Sequence, residues 1–460
     1  MSLPIKERQI TMFREKFHQY LDSQHELMRA GELIPWEAIH NELLRCYRKR
    51  GRRPKFIRLM VGIHILKHRF NVSDERAVEH LHENIYWQAF CGFEEPQPQG
   101  ILEASSMTKF RKRIGPEGMA SIERIMLECW TKMGLVKTKR MAVDTTAQPK
   151  NIAYPTDADL LYKAGRKLVE KVKAIRKEVS FRKFFRSFAR TSRKVYIRIK
   201  KLYRSKPELQ QEAIETLSEM VEKVCRQASG MVNSLYARGR KELGRQLNGL
   251  VRLGRKVVAQ TRAGAQGLRG ERFPGRIYSL HEQKVAPIKK GKARPDCEFG
   301  AKVAMGINEE GIILSHSEYQ ENIADVHTMG RSIARARSNT GRPIDEVSGD
   351  RGFHQAEDRM ERCRRRWGVK RLAVACKGPR GHPCRNEAWF RRNQRIRNRA
   401  EPVIGHLKSD HRMNRCRYRG PQGDTCNVVW ATMAWNLKKV VGLERARENK
   451  RHKRELLKAA

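Results

Sequence analysis

Apolar residues recur at helical spacing over much of this chain, and the points where that spacing stops divide it into elements. From Lys55, the positions Ile57, Leu59, Met60, Ile63 and Leu66 form a helical stripe. Phe70-Asn71-Val72 breaks it, and Ser73 is placed to cap the next helix, with Asp74 and Glu75 in its first turn near the positive dipole end. Ala77, Val78 and Leu81 make the buried face of that second helix. EEPQPQG (Glu94 to Gly100) is a loop; a third helix starts near Ser105 or Ser106, and a further one covers Glu117 to Met133. At MAVDTT, Met141 to Thr146, the pattern changes to a short apolar run ending in an acid and two hydroxyl residues, which reads as a buried strand. Helical spacing returns after Tyr154-Pro155-Thr156, as in Ile214, Leu217, Val221 and Val224. Residues 157 to 260 therefore read as a long-helix insertion of hairpin type. It ends in a linker carrying Gly264, Gly267, Gly270 and Gly275, ahead of strand-like Arg276 to Leu280.

Beyond the linker, strands are expected over Phe299 to Ile307, Gly311 to Glu318, Ile344 to Ser348 and Gly368 to Ala375. Helices are expected over Val326 to Arg337 and from about Glu387 past His411. Helices flanking strands in this order imply an α/β core, and with the insertion removed the order is that of a ribonuclease-H-like sheet. The expected division is an all-α amino-terminal domain over residues 1–135 and a catalytic core over 136–156 and 276–436. The helical insertion and linker occupy 157–275, and a basic tail 437–460.

Charge changes the picture most. The 460 residues hold 97 Lys plus Arg against 50 Asp plus Glu, a surplus of 47. Such an excess repels itself unless a polyanion neutralises it, and nucleic acid is the obvious one. A small-metabolite enzyme or a secreted scaffold needs no such excess. The chain has no apolar run of membrane-spanning length, and the start, MSLPIKERQITMFREKF, lacks the unbroken apolar core of a signal peptide. None of the ten cysteines forms a CxxC pair. Cys376 and Cys384 near His382 are a weak metal pattern beside the better reading of scattered reduced thiols in a cytoplasmic, nucleoid-associated protein.

Three acids stand out by position. Asp144 ends the first strand, Asp350 ends a later one inside Gly349-Asp350-Arg351-Gly352, and Glu401 lies on the last core helix. Strand ends and a helix packed on them converge from distant positions in a twisted sheet. Three carboxylates held together repel unless cations sit between them, and hard oxygen donors suit magnesium or manganese. Two such ions roughly 3.5–4 Å apart activate an attacking oxygen and stabilise a leaving one in phosphodiester chemistry. On the last helix, steps of four and seven residues put Arg397, Glu401 and Lys408 within roughly 40° on one face, so the cations are expected to hold phosphates beside the acid. Pro402 is expected to kink that helix.

The sequence resembles the bacterial DDE transposases of the insertion-sequence-5 family, within the insertion-sequence-4-like group. HILKHRFNVSDERAVEHL, YWQAFCGF and MTKFRKRIG resemble that family's amino-terminal helical domain, and VDTTAQPKNIAYPTDADLL its first catalytic segment. SGDRGF and NRAEPVIGHLKSDHRMNRCRYRG resemble the second and third. The resemblance implies a ribonuclease-H-like fold, two divalent metal ions, and Asp144, Asp350 and Glu401 as the catalytic and metal-holding acids. It also implies DNA-end cleavage followed by strand transfer. Arg397, Glu401 and Lys408 fit the group's signature, whereas its Tyr position is Gln394 here.

Cations outside that helix extend the expected DNA surface. Lys109, Arg111, Lys112 and Arg113 lie on the third helix of the amino-terminal cluster, a suitable DNA-docking arrangement. Phe181 to Lys206 holds eleven Lys or Arg, among them Lys183, Arg186 and Arg190, and no acid. A solvated face would mix signs, so this stretch is read as phosphate-contacting, with its aromatics as packing residues. Glu361 to Arg399 holds fourteen cations against Glu361 and Glu387 and reads as the channel for the scissile strand. The partners implied are double-stranded DNA and, because two ends must be handled together, a second copy of the chain. A nucleic-acid-binding protein derived from a transposase and a nuclease of the same fold are the alternative readings.

Overall fold

The computed structural model describes residues 21–47, 56–97, 100–180, 184–203, 205–268, 273–289, 297–376 and 382–459. The chain forms two compact units, one of residues 1–150 with 287–460 and the other of 151–286.

In the first unit, helices α1 (Glu26–Glu32), α2 (Trp36–Leu44), α3 (Ile57–Arg69), α4 (Asp74–Glu83), α5 (Ile85–Phe90) and α6 (Ala104–Lys132) precede the sheet. The stripe from Ile57 is α3, and Asn71, at φ 54°, breaks the chain after it. Ser73 caps α4 by accepting from the Arg76 amide. The two helices expected between residues 105 and 133 are joined across a kink at Gly115, whose φ of 61° suits a residue without Cβ, ahead of Pro116.

The sheet runs β2 (Ala286–Lys289), β3 (Cys297–Asn308), β1 (Arg140–Pro149), β5 (Glu346–Gly349), β6 (Arg371–Val374), with β4 (Ile313–Tyr319) also on β3. β1 is antiparallel to β3 and parallel to β5, which is parallel to β6. Helix α11 (Met329–Thr340) packs on β4 and β3 and touches α12 (Glu357–Trp367), and α13 (Ala388–Ser409) packs on β1 and β5. Period-two alternation gives the sheet two apolar faces. Met141, Val143, Leu314 and Val347 join one cluster with α11 and the amino-terminal helices. Val303, Met305 and Ile307 join another with Ala400, Val403 and Leu407 of α13.

Two expected boundaries do not separate anything. Residues of α1 to α6 share a continuous apolar cluster with β1, β5 and α14 (Gly420–Ala459), so the amino-terminal helices and the sheet have a common core. The tail expected from residue 437 begins inside α14, where Leu437, Val440 and Val441 are buried.

In the second unit, the described residues form four helices in place of the expected hairpin: α7 (Asp157–Val179), α8 (Ala189–Lys201), α9 (Pro207–Ala237) and α10 (Lys241–Ala265). They enclose an apolar core of their own, with Leu161, Leu168, Val172, Leu217, Val221, Leu247 and Val251. Arg276 to Leu280 is not a strand; Ile277 is buried there, its amide donating to Gln260 of α10.

Candidate active site

Register brings the first two acids level. Ala142 of β1 pairs in parallel with Ser348 of β5, and two residues beyond each lie Asp144 and Asp350. Asp144 also stands opposite Met305 of β3, and directly opposed residues share a face. That is the face on which α13 packs, so Asp144 lies on the side of Glu401. Asp350 caps the short 3₁₀ turn Arg351–Phe353 by accepting from the Gly352 amide at 2.8 Å.

Electrostatics at Asp144 record this convergence. Burial pushes its carboxyl up to about 6; the Thr145 amide opposes this, while the charges of Asp350 and Glu401 add to it and Arg397 works against it. Glu401 is mostly exposed and accepts from Arg397 Nη2 at 2.9 Å. Arg397 Nε is buried with no acceptor among the described residues. The donors are all carboxylate oxygens, the chemistry a hard divalent cation takes, and positive charge here would relieve the crowding at Asp144. Among the described residues no three His, Cys, Asp or Glu side chains stand close enough to enclose a metal ion, Cys376, His382 and Cys384 included.

Several expected contacts turn out otherwise. Lys408 does not sit with the acids. Its Nζ meets Glu298 at 3.4 Å, seven residues before Met305 on β3 and so on the order of 20 Å farther along that strand. Arg111 is buried rather than presented to DNA: its guanidinium grips Asp74 with Nη1 at 3.0 Å and Nη2 at 2.6 Å and lies over the Tyr418 ring. Lys109, Lys112 and Arg113 on α6 are exposed, Arg113 stacking on Tyr47. Arg186 and Arg190 are exposed in the second unit, whereas Lys183 lies outside the described residues. Of the aromatics beside them, Phe185, Phe188 and Tyr196 pack on the helices, while Phe184 and Tyr203 are exposed. Gln394 donates to the Ala373 carbonyl of β6 at 3.0 Å and so tethers α13 to the sheet. Pro402 sits within an α13 that runs unbroken from Ala388 to Ser409.

Sequence reasoning missed a neighbouring group. Asp325, in the turn before α11, accepts from the Thr145 hydroxyl at 2.8 Å and pairs with Lys302 of β3 at 2.6 Å. The available signal, an acid just ahead of a helix in NIADVH, reads equally as an ordinary cap.

Residues 15–113 match the model of a Transposase domain (DUF772), and residues 376–441 that of a Transposase DDE domain. The second segment contains Arg397, Glu401 and Lys408 but neither Asp144 nor Asp350. A Rhizobium meliloti protein described as "Uncharacterized protein ORF8 in nfe locus" is 41% identical over 165 residues, 35% of this chain and 80% of that protein. No solved structure matches the chain. The chain belongs to the same family as the Rhizobium meliloti protein, and its two matched segments are those of a DDE-type transposase.

Proposed function

We propose that this protein is a transposase that binds the terminal inverted repeats of its own insertion sequence, cleaves DNA at those ends and transfers the 3'-OH ends into target DNA. The observation that carries the reading is that Asp144 and Asp350 stand level at the ends of neighbouring strands, on the face against which the helix bearing Glu401 packs. The sheet order, with β3 antiparallel and β1, β5 and β6 parallel, supports a ribonuclease-H-like core, and the motifs quoted above support the insertion-sequence-5 group. Asp144, Asp350 and Glu401 are the residues to hold two Mg²⁺ ions, or Mn²⁺ in their place, which when bound activate the attacking oxygen and stabilise the leaving one.

The chain's own groups do the rest. The partly exposed guanidinium of Arg397 offers a phosphate oxygen a charge-assisted hydrogen bond beside Glu401. Lys109, Lys112 and Arg113 on α6, and Arg186 and Arg190 in the second unit, supply exposed cations for the DNA backbone. Two ends cut and joined together call for a homodimer on DNA, at the nucleoid.

Single Asp144→Ala, Asp350→Ala and Glu401→Ala variants test the reading on duplexes carrying the element's end. Each is expected to lose Mg²⁺-dependent nicking and joining while retaining end binding. Strong nicking by any of them overturns the assignment; nicking without joining by the wild type favours the nuclease. DNA contact by the second unit is tested by salt titration. Alanine at Arg190, Arg193, Lys194 and Arg198 should reduce the log–log slope by up to about three or four, since each phosphate contact contributes about 0.9.

A further inference from the structure

Asp144 and Thr145 are consecutive on β1, so their side chains leave opposite faces of the sheet. Asp144 goes to the face of α13. Thr145 goes to the other, where its hydroxyl donates to Asp325 Oδ1 at 2.8 Å. The same Asp325 oxygen is held by Lys302 Nζ at 2.6 Å, and that ammonium also donates to the Ile323 carbonyl at 2.7 Å, so the segment leading to Asp325 is fastened to β3. The other oxygen of Asp325 is aimed at the turn that carries Asp350. A Cβ on Gly352 would lie 2.8 Å from Asp325 Oδ2 and 2.9 Å from Asp350 Oδ1. Both carboxylates therefore border one small space, and it is kept open because residue 352 is glycine.

We propose that Asp325 is a positioning residue shared by two segments: it holds the β1 segment bearing Asp144 through the Thr145 hydroxyl, and its second oxygen packs against the turn bearing Asp350 at Gly352. The proposal rests on the reading of Asp144 and Asp350 as reaction-centre acids. Lys302 neutralises Asp325, which lets a fourth carboxylate stand near the other acids without adding its full repulsion to theirs. Reacting groups displaced by about 1 Å lose around a hundredfold in rate, so loosening Asp325, bonded to one segment and packed against the other, acts on both acids at once.

The test uses the full chain and four variants: Asp325→Ala, Asp325→Asn, Thr145→Val and Thr145→Ser. Asparagine keeps an oxygen that accepts from Thr145, and serine keeps the hydroxyl. Three measurements are made: backbone hydrogen exchange in metal-free protein, Mn²⁺ binding by electron paramagnetic resonance without DNA, and single-turnover cleavage of end duplexes at saturating DNA. Asp325→Ala and Thr145→Val are expected to raise exchange in segments 141–149 and 350–354 and nowhere else. Both should weaken Mn²⁺ binding about tenfold and slow cleavage by about ten- to a hundredfold, with DNA affinity unchanged. Asp325→Asn and Thr145→Ser should recover to within about threefold of wild type, and the Asp325→Ala/Thr145→Val double variant should be no worse than either single one.

Unchanged exchange in both segments, full Mn²⁺ affinity in Asp325→Ala, or an Asp325→Asn as damaged as the alanine variant overturns the proposal; the last would make Asp325 a direct ligand. If the wild type neither binds Mn²⁺ nor cleaves, the transposase reading fails, and the exchange data still decide whether Asp325 joins the two segments.

Discussion

Asp74 and Asp144 are both largely buried aspartates in the same compact unit, and their surroundings drive them in opposite directions. At Asp74 burial alone would raise the carboxyl, but the Arg111 and Lys67 hydrogen bonds and charges hold it well below the ordinary range. Lys67 Nζ reaches it at 2.5 Å and also donates to the Tyr418 hydroxyl at 2.7 Å. At Asp144 burial wins: two acids stand nearby and Arg397 only partly compensates, so the carboxyl rises to about 6. A closed set of charges holds helices together; an open set leaves negative potential for something else to neutralise. The contrast separates a structural acid from a candidate functional one better than burial or residue type does.

Breaking the closed set should have the largest effect on stability. Asp74→Ala leaves Lys67 and Arg111, with side chains 4% and 9% exposed, facing each other without an acid. Removing one partner from a buried ionic group costs about 3–5 kcal/mol, so the denaturant midpoint should fall sharply. A loss under about 1 kcal/mol would mean that water replaces the carboxylate at little cost.

Neutralising the open set should do the reverse. In metal-free protein, Asp144→Asn removes a carboxyl that burial pushes up to about 6, above the ordinary aspartate value of about 3.9. For an acid raised on folding, the native state holds the proton more tightly. The stability this contributes is present at low pH and lost as pH rises through about 6. The variant should thus be more stable than wild type above about pH 6, by up to about 3 kcal/mol, and the gain should vanish towards pH 4. Unfolding curves between pH 4 and 8 in chelator check this; a gain independent of pH would point to packing instead.

The two aspartates also mark what the sequence could and could not reveal. Asp144 was legible because a local signal, an apolar run ending in an acid, coincides with a strand end; Asp350, inside a glycine-bracketed turn, was legible for the same reason. The α13 helix with Glu401 followed from its spacing. Arg111 was misread because a cation on a helix looks the same whether it meets phosphate or an aspartate 37 residues earlier. Asp325 escaped because what matters about it is the hydroxyl of Thr145, 180 residues away. The common core of the helices and sheet escaped as well, since apolar periodicity tells which face is buried but not against what. The kink in α6 at Gly115 gave no such signal, since backbone freedom rather than a missing donor permits that turn.

The smallest expected effect separates the two cations of α13. Spacing alone makes Arg397 and Lys408 equivalent companions of Glu401, but the seven-residue step from Glu401 to Lys408 also carries the lysine about 10 Å along the helix axis. There it meets Glu298 at 3.4 Å, both side chains 22% exposed, whereas Arg397 contacts Glu401 itself. A partly exposed ion pair contributes little, typically 0–1 kcal/mol, so Lys408→Ala should change cleavage by less than about fivefold and stability by no more than that energy. Arg397→Ala should slow cleavage by around a hundredfold through loss of phosphate orientation, and Arg397→Lys should rescue poorly because a point charge cannot replace a planar donor. Cleavage and strand transfer on pre-nicked end duplexes, with Mn²⁺ binding followed in parallel, give the comparison. Equal losses from the two alanine variants would mean that Lys408 leaves Glu298 for the substrate once DNA is bound, and that the one-face reading of the helix describes the complex better than it does the free chain.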